Sequence, residues 1–171
     1  VDESNSLSLS ARDGELDEYK ISSSQVFGLR IIKDKKVGTA YSEASDQLAL
    51  ETMIDQAFTN ASFATADEHE TILPIKEELS TDDDFFCPND PSTVEEKIDA
   101  ILDLESSLLK KDKIKNVPYN GIQSGQGSRH LFSTSGLVAR SSAKSNVCYA
   151  HALMEEGDVN VMEGSGQASR I

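Results

Sequence analysis

Ser6-Leu7-Ser8-Leu9-Ser10-Ala11-Arg12-Asp13-Gly14-Glu15-Leu16 is the stretch of sequence that decides the fold. Its first half alternates serine with an apolar residue, which is the period of a strand with one buried face. Asp13-Gly14 then supplies turn residues that tolerate a positive φ, as a tight hairpin requires. The stretch therefore predicts a β-hairpin whose second strand returns through residues 16–21.

Two more strands and a helix are predicted after this hairpin. Residues 26–32 are nearly all apolar, which indicates a central strand, and a polar turn leads to a fourth strand at 37–41. Ser45 or Asp46 can cap a helix by accepting from free backbone N–H groups. The apolar face of this helix is predicted to lie on the sheet, and it comprises Leu50, Met53, Ile54, Ala57, Phe58 and Ala61. Residues 1–63 are therefore predicted to form a four-stranded sheet with one helix.

Residues 64–92 have a different character. Three prolines and the acidic run Thr81-Asp82-Asp83-Asp84 interrupt any hydrophobic period. The segment predicts a linker, or an ordered crossover, between two small units.

The second unit is predicted over residues 93–171, beginning with a helix. Ser92 or Thr93 can cap it, and each has a glutamate three residues on, as a capping box requires. The apolar stripe of this helix comprises Val94, Ile98, Ile101, Leu102, Leu108 and Leu109. Strands with glycine-marked turns are predicted at 117–124, 128–133, 137–154 and 159–163, and the long third one needs a partner on each side. The fold class is therefore α+β, with antiparallel sheets and flanking helices.

Composition limits the classes of partner. The 171 residues include 16 basic and 30 acidic ones, for a net charge of -14. Nucleic acid and anionic membrane surfaces are therefore not expected as partners, because phosphate binding needs clustered lysine and arginine. No apolar run approaches the roughly 20 residues that span a bilayer. Cys87 and Cys148 lie far apart in the sequence, and neither belongs to a cluster with metal-ligand spacing. A disulfide framework is therefore not expected, which fits a reducing compartment.

The three histidines are the main candidates for a metal site or a catalytic base. His69 and Glu70 begin a His-Glu-x-x-x-His pattern, but Pro74 stands where the second histidine would be. We interpret His69 as part of a solvated linker, and His130 and His151 as ordinary strand histidines. No metal ligand and no catalytic residue is predicted in this chain.

Three other patterns have a structural interpretation as well as a chemical one. Cys148 and His151 are three residues apart on a predicted strand, so their side chains face opposite sides, and Cys148 is expected to be a small core residue. Gly125 to Arg129 lacks the Lys-Ser/Thr ending of a phosphate loop, so a glycine hairpin is predicted. Asp82 to Asp84 lacks the ligand spacing of a calcium loop and is predicted to be a solvated loop.

An ordered set of short motifs resembles the TldD/PmbA family, once called modulators of DNA gyrase. The opening hairpin at 6–18 resembles that of the family, and so does the order of a Gly-Leu-Arg strand at 28–30, a Gly-x-Ala-Tyr strand at 38–41 and an amphipathic helix. Residues 115–121 and 162–166 resemble the PmbA branch in particular. The resemblance covers nearly the whole chain, and we expect the chain to be an N-terminal fragment of such a protein.

The resemblance implies a two-subunit cytoplasmic protease. Its TldD-type subunit holds zinc, and its PmbA-type (TldE) subunit completes the complex without a zinc site, so no family zinc ligand is carried onto any residue of this chain. The expected cofactor is therefore none in this chain, with zinc in the TldD-type partner, and the expected substrates are unfolded peptides and peptide precursors. Two alternatives are a non-proteolytic regulator of the gyrase-modulator type and an independent enzyme built on Cys148 and the histidines.

Overall fold

A computed structural model describes residues 1–75 and 77–171 of the chain. The described residues form seven strands and three helices. In chain order these are β1 (Asp2–Arg12), β2 (Glu15–Lys33), β3 (Lys36–Ser42), α1 (Gln47–Phe63), β4 (Glu78–Ser80), α2 (Asp83–Phe86), α3 (Val94–Leu109), β5 (Ile114–Phe132), β6 (Val138–Glu156) and β7 (Val159–Ser169).

Hydrogen bonding orders the strands β3-β2-β1-β5-β6-β4, and β7 also pairs with β6. The β2–β3 and β6–β7 pairs are antiparallel, whereas the three-residue β4 pairs with β6 in parallel. These strands and helices confirm the α+β class with antiparallel strands. They also confirm that the segment around 137–154 has partners on both of its sides.

The chain divides into two compact units that interleave along the sequence. The first comprises residues 1–4, 23–81 and 127–142, and the second comprises residues 5–22, 82–126 and 143–171. The sequential division into 1–63, a linker at 64–92 and 93–171 stays a prediction. The predicted linker contains β4 and α2.

In the first unit, α1 packs against β3. Asp46 caps α1 by accepting from the N–H of Ala49, as predicted for one of two candidate residues. Met53, Ala57 and Ala61 are buried, and a Cβ at Gly38 of β3 would lie 1.9 Å from the carbonyl oxygen of Ala57. The buried stripe of α1 is therefore narrower than predicted, since Ile54 and Phe58 are 43% and 47% exposed.

In the second unit, α3 covers one face of β1 and β5. Thr93 caps α3 and forms the predicted capping box with Glu96. Leu9, Ala11 and Ile101 are buried at the centre of this core. Partly buried apolar residues pack around them, namely Leu7, Ile98, Leu102, Leu104 and Ile122. The alternation over residues 6–11 is thus confirmed as the pattern of a strand with one buried face.

Two predicted strand breaks are wrong, and the reason is the same for both. The return strand and the strand at 26–32 are one continuous β2, and the strands at 117–124 and 128–133 are one continuous β5. Residues 1–63 were predicted to contain four strands, and they contain three, namely β1, β2 and β3. None of residues 22–25, Gly125 and Gly127 adopts a positive φ, so neither strand contains a tight turn at the predicted break. Continuity is decided by pairing with a neighbouring strand, which short-range sequence does not show.

The predicted hairpin turns are confirmed by backbone geometry. Asp13 and Gly14 have φ values of 55 and 79, and Asp34 and Lys35 between β2 and β3 have 52 and 64. Two successive positive φ angles match the right-handed twist of the strands that they join.

Candidate functional site

A groove of about 680 Å³ lies between α3 and the strands β6 and β7 in the second unit. We call it the edge groove. Leu104 and Leu108 of α3 line one side, and the small residues Cys148, Ala150 and Ala152 of β6 line the other. Residues 163–167 of β7 complete the lining. Tyr149 of β6 also lines the groove, so the apolar wall of α3 faces one aromatic residue among several small ones.

β7 forms the rim of the edge groove and has an open side. In the described part of the chain it pairs with β6 alone, with an uninterrupted antiparallel register from Glu156↔Val159 to Asn146↔Ser169. All eleven of its residues are exposed. Because a strand paired on one side directs every second N–H and C=O outward, β7 presents a row of free backbone donors and acceptors.

His151 lies on the β6 strand, exposed, in a small aromatic cluster. Its ring contacts Tyr119 and Tyr149 edge-on, with centroid distances of 6.3 and 6.4 Å. The imidazole lies over Gly164, the cross-strand partner of His151, where a Cβ would come within 2.2 Å of Nδ1. The position of His151 is therefore explained by packing over a glycine.

The other two histidines have separate surroundings. His69 is highly exposed in a turn, where its N–H donates to Asp67 at 2.9 Å. His130 lies half-buried on β5, and its backbone exchanges hydrogen bonds with Val1. The predicted strand positions of His130 and His151 and the exposed position of His69 are confirmed, whereas the absence of a metal or catalytic role for them stays a prediction.

The prediction that Cys148 is a core residue is wrong. Cys148 is exposed on β6, where it lines the edge groove. The neighbouring groove wall partly desolvates the thiol and raises its pKa. A raised pKa lowers the thiolate fraction, which disfavours Cys148 as a nucleophile.

The described residues do not match the zinc-binding pattern of the family. Within residues 1–75 and 77–171, no three His, Cys, Asp or Glu side chains lie close enough together to hold a metal ion. The side chain of Pro74 has no ligand atom to offer in place of the imidazole of the second histidine. The prediction that this chain carries no metal or catalytic residue stays a prediction.

Two of the loop predictions need correction. The predicted glycine hairpin at 125–129 is part of β5, where glycine suits a close approach: a Cβ at Gly127 would lie 3.3 Å from the carbonyl oxygen of Glu3. The acidic run is not a plain loop, since Asp82 caps the short helix α2 by accepting from Phe85. Asp83 and Asp84 lie in the first turn of α2, where the positive end of the helix dipole stabilises their negative charges.

The buried polar residues Glu105 and Asn120 were not anticipated from the sequence. Glu105 is 1% exposed and accepts from the N–H groups of Asp13 and Gly14 at 3.1 and 3.0 Å. Asn120 is 5% exposed; it accepts from the N–H of Ala11 at 2.8 Å and donates back to the carbonyl of Ala11 at 2.8 Å. Glu105 is four residues after Ile101 on the buried face of α3, and a carboxylate on an apolar stripe is a detectable sequence signal.

Family comparisons agree with this architecture. Residues 1–61 match the model of the PmbA/TldA metallopeptidase domain 1, and residues 87–171 match the model of the PmbA/TldA metallopeptidase central domain. The chain belongs to the PmbA/TldD family. The resemblance seen in the sequence motifs is thereby confirmed.

Solved structures share the fold at low sequence identity. TldE from Thermococcus kodakarensis has a TM-score of 0.78 and 19% identity, and a putative modulator of a DNA gyrase from Thermotoga maritima MSB8 has 0.78 and 18%. A putative modulator of DNA gyrase from Bacteroides thetaiotaomicron VPI-5482 has 0.78 and 15%. They cover 99%, 99% and 98% of this chain, which spans 39%, 38% and 39% of their own lengths.

No curated protein matches the chain. In the described residues, the helices are all too short or too polar to cross a membrane.

Proposed function

We propose that this chain belongs to the non-catalytic, PmbA/TldE-type subunit of a two-subunit zinc metalloprotease. The observation that carries the proposal is the match of two successive stretches to two successive domains of one metallopeptidase family. Within residues 1–75 and 77–171, no three possible metal-ligating side chains converge, which supports a role other than metal binding because a catalytic zinc needs three protein ligands. Zinc and the activated water then belong to a TldD-type partner subunit.

The proposed substrates are unfolded peptides and peptide precursors, and the proposed compartment is the cytoplasm. The open strand β7 supports a peptide-handling role, because an extended peptide can pair with a free sheet edge largely independently of its sequence. The edge groove beside it can take side chains of such a peptide. The part assigned to this subunit is assembly and peptide contact, with hydrolysis on the partner.

Reconstitution tests the proposal. The full-length protein is mixed with a TldD-type partner, and hydrolysis of a fluorogenic unfolded peptide is followed with each subunit alone and with both. We expect turnover with both subunits and none with this protein alone. Turnover by this protein alone would contradict the proposal and favour an independent enzyme. Unchanged partner activity with and without this protein would favour a non-proteolytic regulator.

A further inference from the structure

Residues 82–92, which we call the strap, lie between β4 and α3 and belong to the second unit. The strap contains the short helix α2, four aspartates and no basic residue. Three basic side chains from outside the strap contact it, namely Lys97 of α3, Lys144 of β6 and Arg170, which follows β7. An acidic segment is therefore held by cations from three separate parts of the unit.

Two of these contacts hold the end of the strap nearest to α3. Lys97 Nζ lies 2.8 Å from Oδ2 of Asp90 and also donates to the hydroxyl of Ser124 on β5 at 3.2 Å. Lys144 Nζ donates to the backbone carbonyl of Pro88 at 3.0 Å. The strap is therefore attached to α3, β5 and β6 by polar contacts.

Arg170 holds the other end of the strap through the two aromatic residues of α2. Its guanidinium carbon lies 4.7 and 5.2 Å from the ring centroids of Phe85 and Phe86. Phe85 is nevertheless 58% exposed, and none of the described residues 82–92 is fully buried. Because apolar burial is the main favourable contribution to folding, a segment that buries no side chain fully is held weakly.

Asn146 of β6 opposes closure of the strap. Side chains alternate along a strand, so Asn146 shares a face with Lys144, which contacts the strap, and with Cys148, which lines the edge groove. Both polar atoms of the Asn146 side chain, Oδ1 and Nδ2, are buried and have no hydrogen-bond partner in the described part of the chain. A buried amide without partners costs free energy that contact with water recovers.

We propose that the strap opens and closes over β6 while α3 and the sheet stay folded. Closure gains the pair of Asp90 with Lys97 and the contact of Lys144, and it removes the Asn146 side chain from water. Opening uncovers Lys144 and Asn146, which extends the edge groove along β6 beyond Cys148. The inference goes beyond the proposed function, because it concerns access to the groove and holds whether or not the protein takes part in hydrolysis.

Cys87 of the strap serves as the probe of opening, because its thiol follows α2 and is half-buried. The full-length protein is treated with iodoacetamide, and the alkylated fraction of the peptide that contains Cys87 is followed by mass spectrometry. We expect Cys87 to react about tenfold more slowly than in the urea-unfolded protein. Below the unfolding transition its rate is expected to be nearly independent of urea, because a local opening exposes little surface.

Two substitutions and a control test the opposing contributions. Lys97→Met is expected to speed the alkylation of Cys87 by about tenfold, because Asp90 is left partly buried without its cation. Asn146→Leu is expected to slow it by about three- to tenfold, because the unpaired amide is removed at similar volume. The control Lys111→Met, at an exposed position after α3, should change the rate by less than about twofold.

Lys144→Met provides a second test if Lys97→Met does not fold, and it should speed the alkylation by about two- to fivefold. Rates for these two variants that equal the rate of the Lys111→Met control would overturn the proposal. An alkylation rate that rises with urea in step with global unfolding would also overturn it, because the strap would then open only with the whole chain. Faster alkylation of Asn146→Leu would contradict it as well, since the amide would then stabilise the closed strap.

Discussion

At the scale of single residues, Glu105 joins α3 to the opening hairpin. Its carboxylate receives two backbone N–H groups from the turn at Asp13 and Gly14, where both residues have a positive φ. At 1% exposure the Glu105 carboxylate is removed from water, so these two hydrogen bonds compensate its burial. The contact therefore connects the turn that starts the sheet with the helix that covers it.

Removing this carboxylate tests its contribution. We expect Glu105→Ala to lower the free energy of unfolding by about 2–4 kcal/mol, because two N–H groups lose a charged acceptor and a cavity is left. Glu105→Gln should cost less, since its amide oxygen can still accept. The control Asp99→Ala, at an exposed position of the same helix, should stay within about 0.5 kcal/mol of the parent. Urea unfolding measures all three, and equal effects at both positions would refute the assignment.

Asp90, which precedes α3, and Lys97, which lies in its first turns, form a partly buried ion pair. Lys97 Nζ lies 2.8 Å from Oδ2 of Asp90. The side chain of Lys97 is 17% exposed, and that of Asp90 is 8% exposed. This ammonium, together with the hydroxyl and N–H of Ser92, holds the pKa of Asp90 far below its ordinary value of 3.8. The pair also reaches β5, because Lys97 donates to Ser124 at 3.2 Å.

Acid should therefore weaken this pair in a defined direction. Because the folded pKa of Asp90 is the lower one, its contribution is fully present above the ordinary aspartate pKa and is lost as pH falls toward the folded pKa. We expect Asp90→Asn to be less stable than the parent by about 1–3 kcal/mol near neutrality. That difference should narrow from about pH 4 downward. Lys97→Met should reduce this pH dependence without abolishing it, because the Ser92 hydrogen bonds to Asp90 remain. A stability difference between Asp90→Asn and the parent that widens on acidification would refute the prediction.

At the scale of elements, sequence was sufficient where local chemistry decides the structure. The hairpin turn at Asp13-Gly14 and the capping box of Thr93 with Glu96 depend on residues close in the chain, and both were predicted. The continuity of β2 and β5 depends on distant pairing partners, and it was missed. For the same reason the edge groove could not be foreseen, because α3, β6 and β7 come together only in the folded chain.

The contact between α1 and β3 can be tested with a matched pair of glycines. A Cβ at Gly38 would lie 1.9 Å from the carbonyl oxygen of Ala57 and 2.6 Å from the nitrogen of Ala61, whereas a Cβ at Gly28 would meet nothing within 4 Å. We expect Gly38→Ala to cost more than about 2 kcal/mol, because helix backbone must move away from the strand. Gly28→Ala should change stability by less than about 1 kcal/mol. Similar melting of both variants would show that the helix does not pack at Gly38.

At the scale of the whole molecule, the predicted sequential division can be tested by limited proteolysis. Most of the described residues of 64–75 and 77–92 are exposed, and the regular structure among them is the short β4 and α2. Exposed segments with little secondary structure open at low free-energy cost, so the first cuts are expected there. Mass spectrometry of early fragments identifies the sites. First cuts within 26–60 would contradict the division.

The central claim is that this chain supports proteolysis without supplying the catalytic groups. The most direct measurement is peptide hydrolysis by the reconstituted two subunits after His69, His130 and His151 of the full-length protein are all replaced by alanine. We predict a rate within about threefold of the parent, provided that folding and assembly are shown to be normal, whereas removal of a general acid or base costs about 10²-fold or more. Replacing the catalytic histidines of the TldD-type partner should abolish turnover. A loss of about 10²-fold from the triple change, in a folded and assembled complex, would contradict the claim and place the chemistry on this chain.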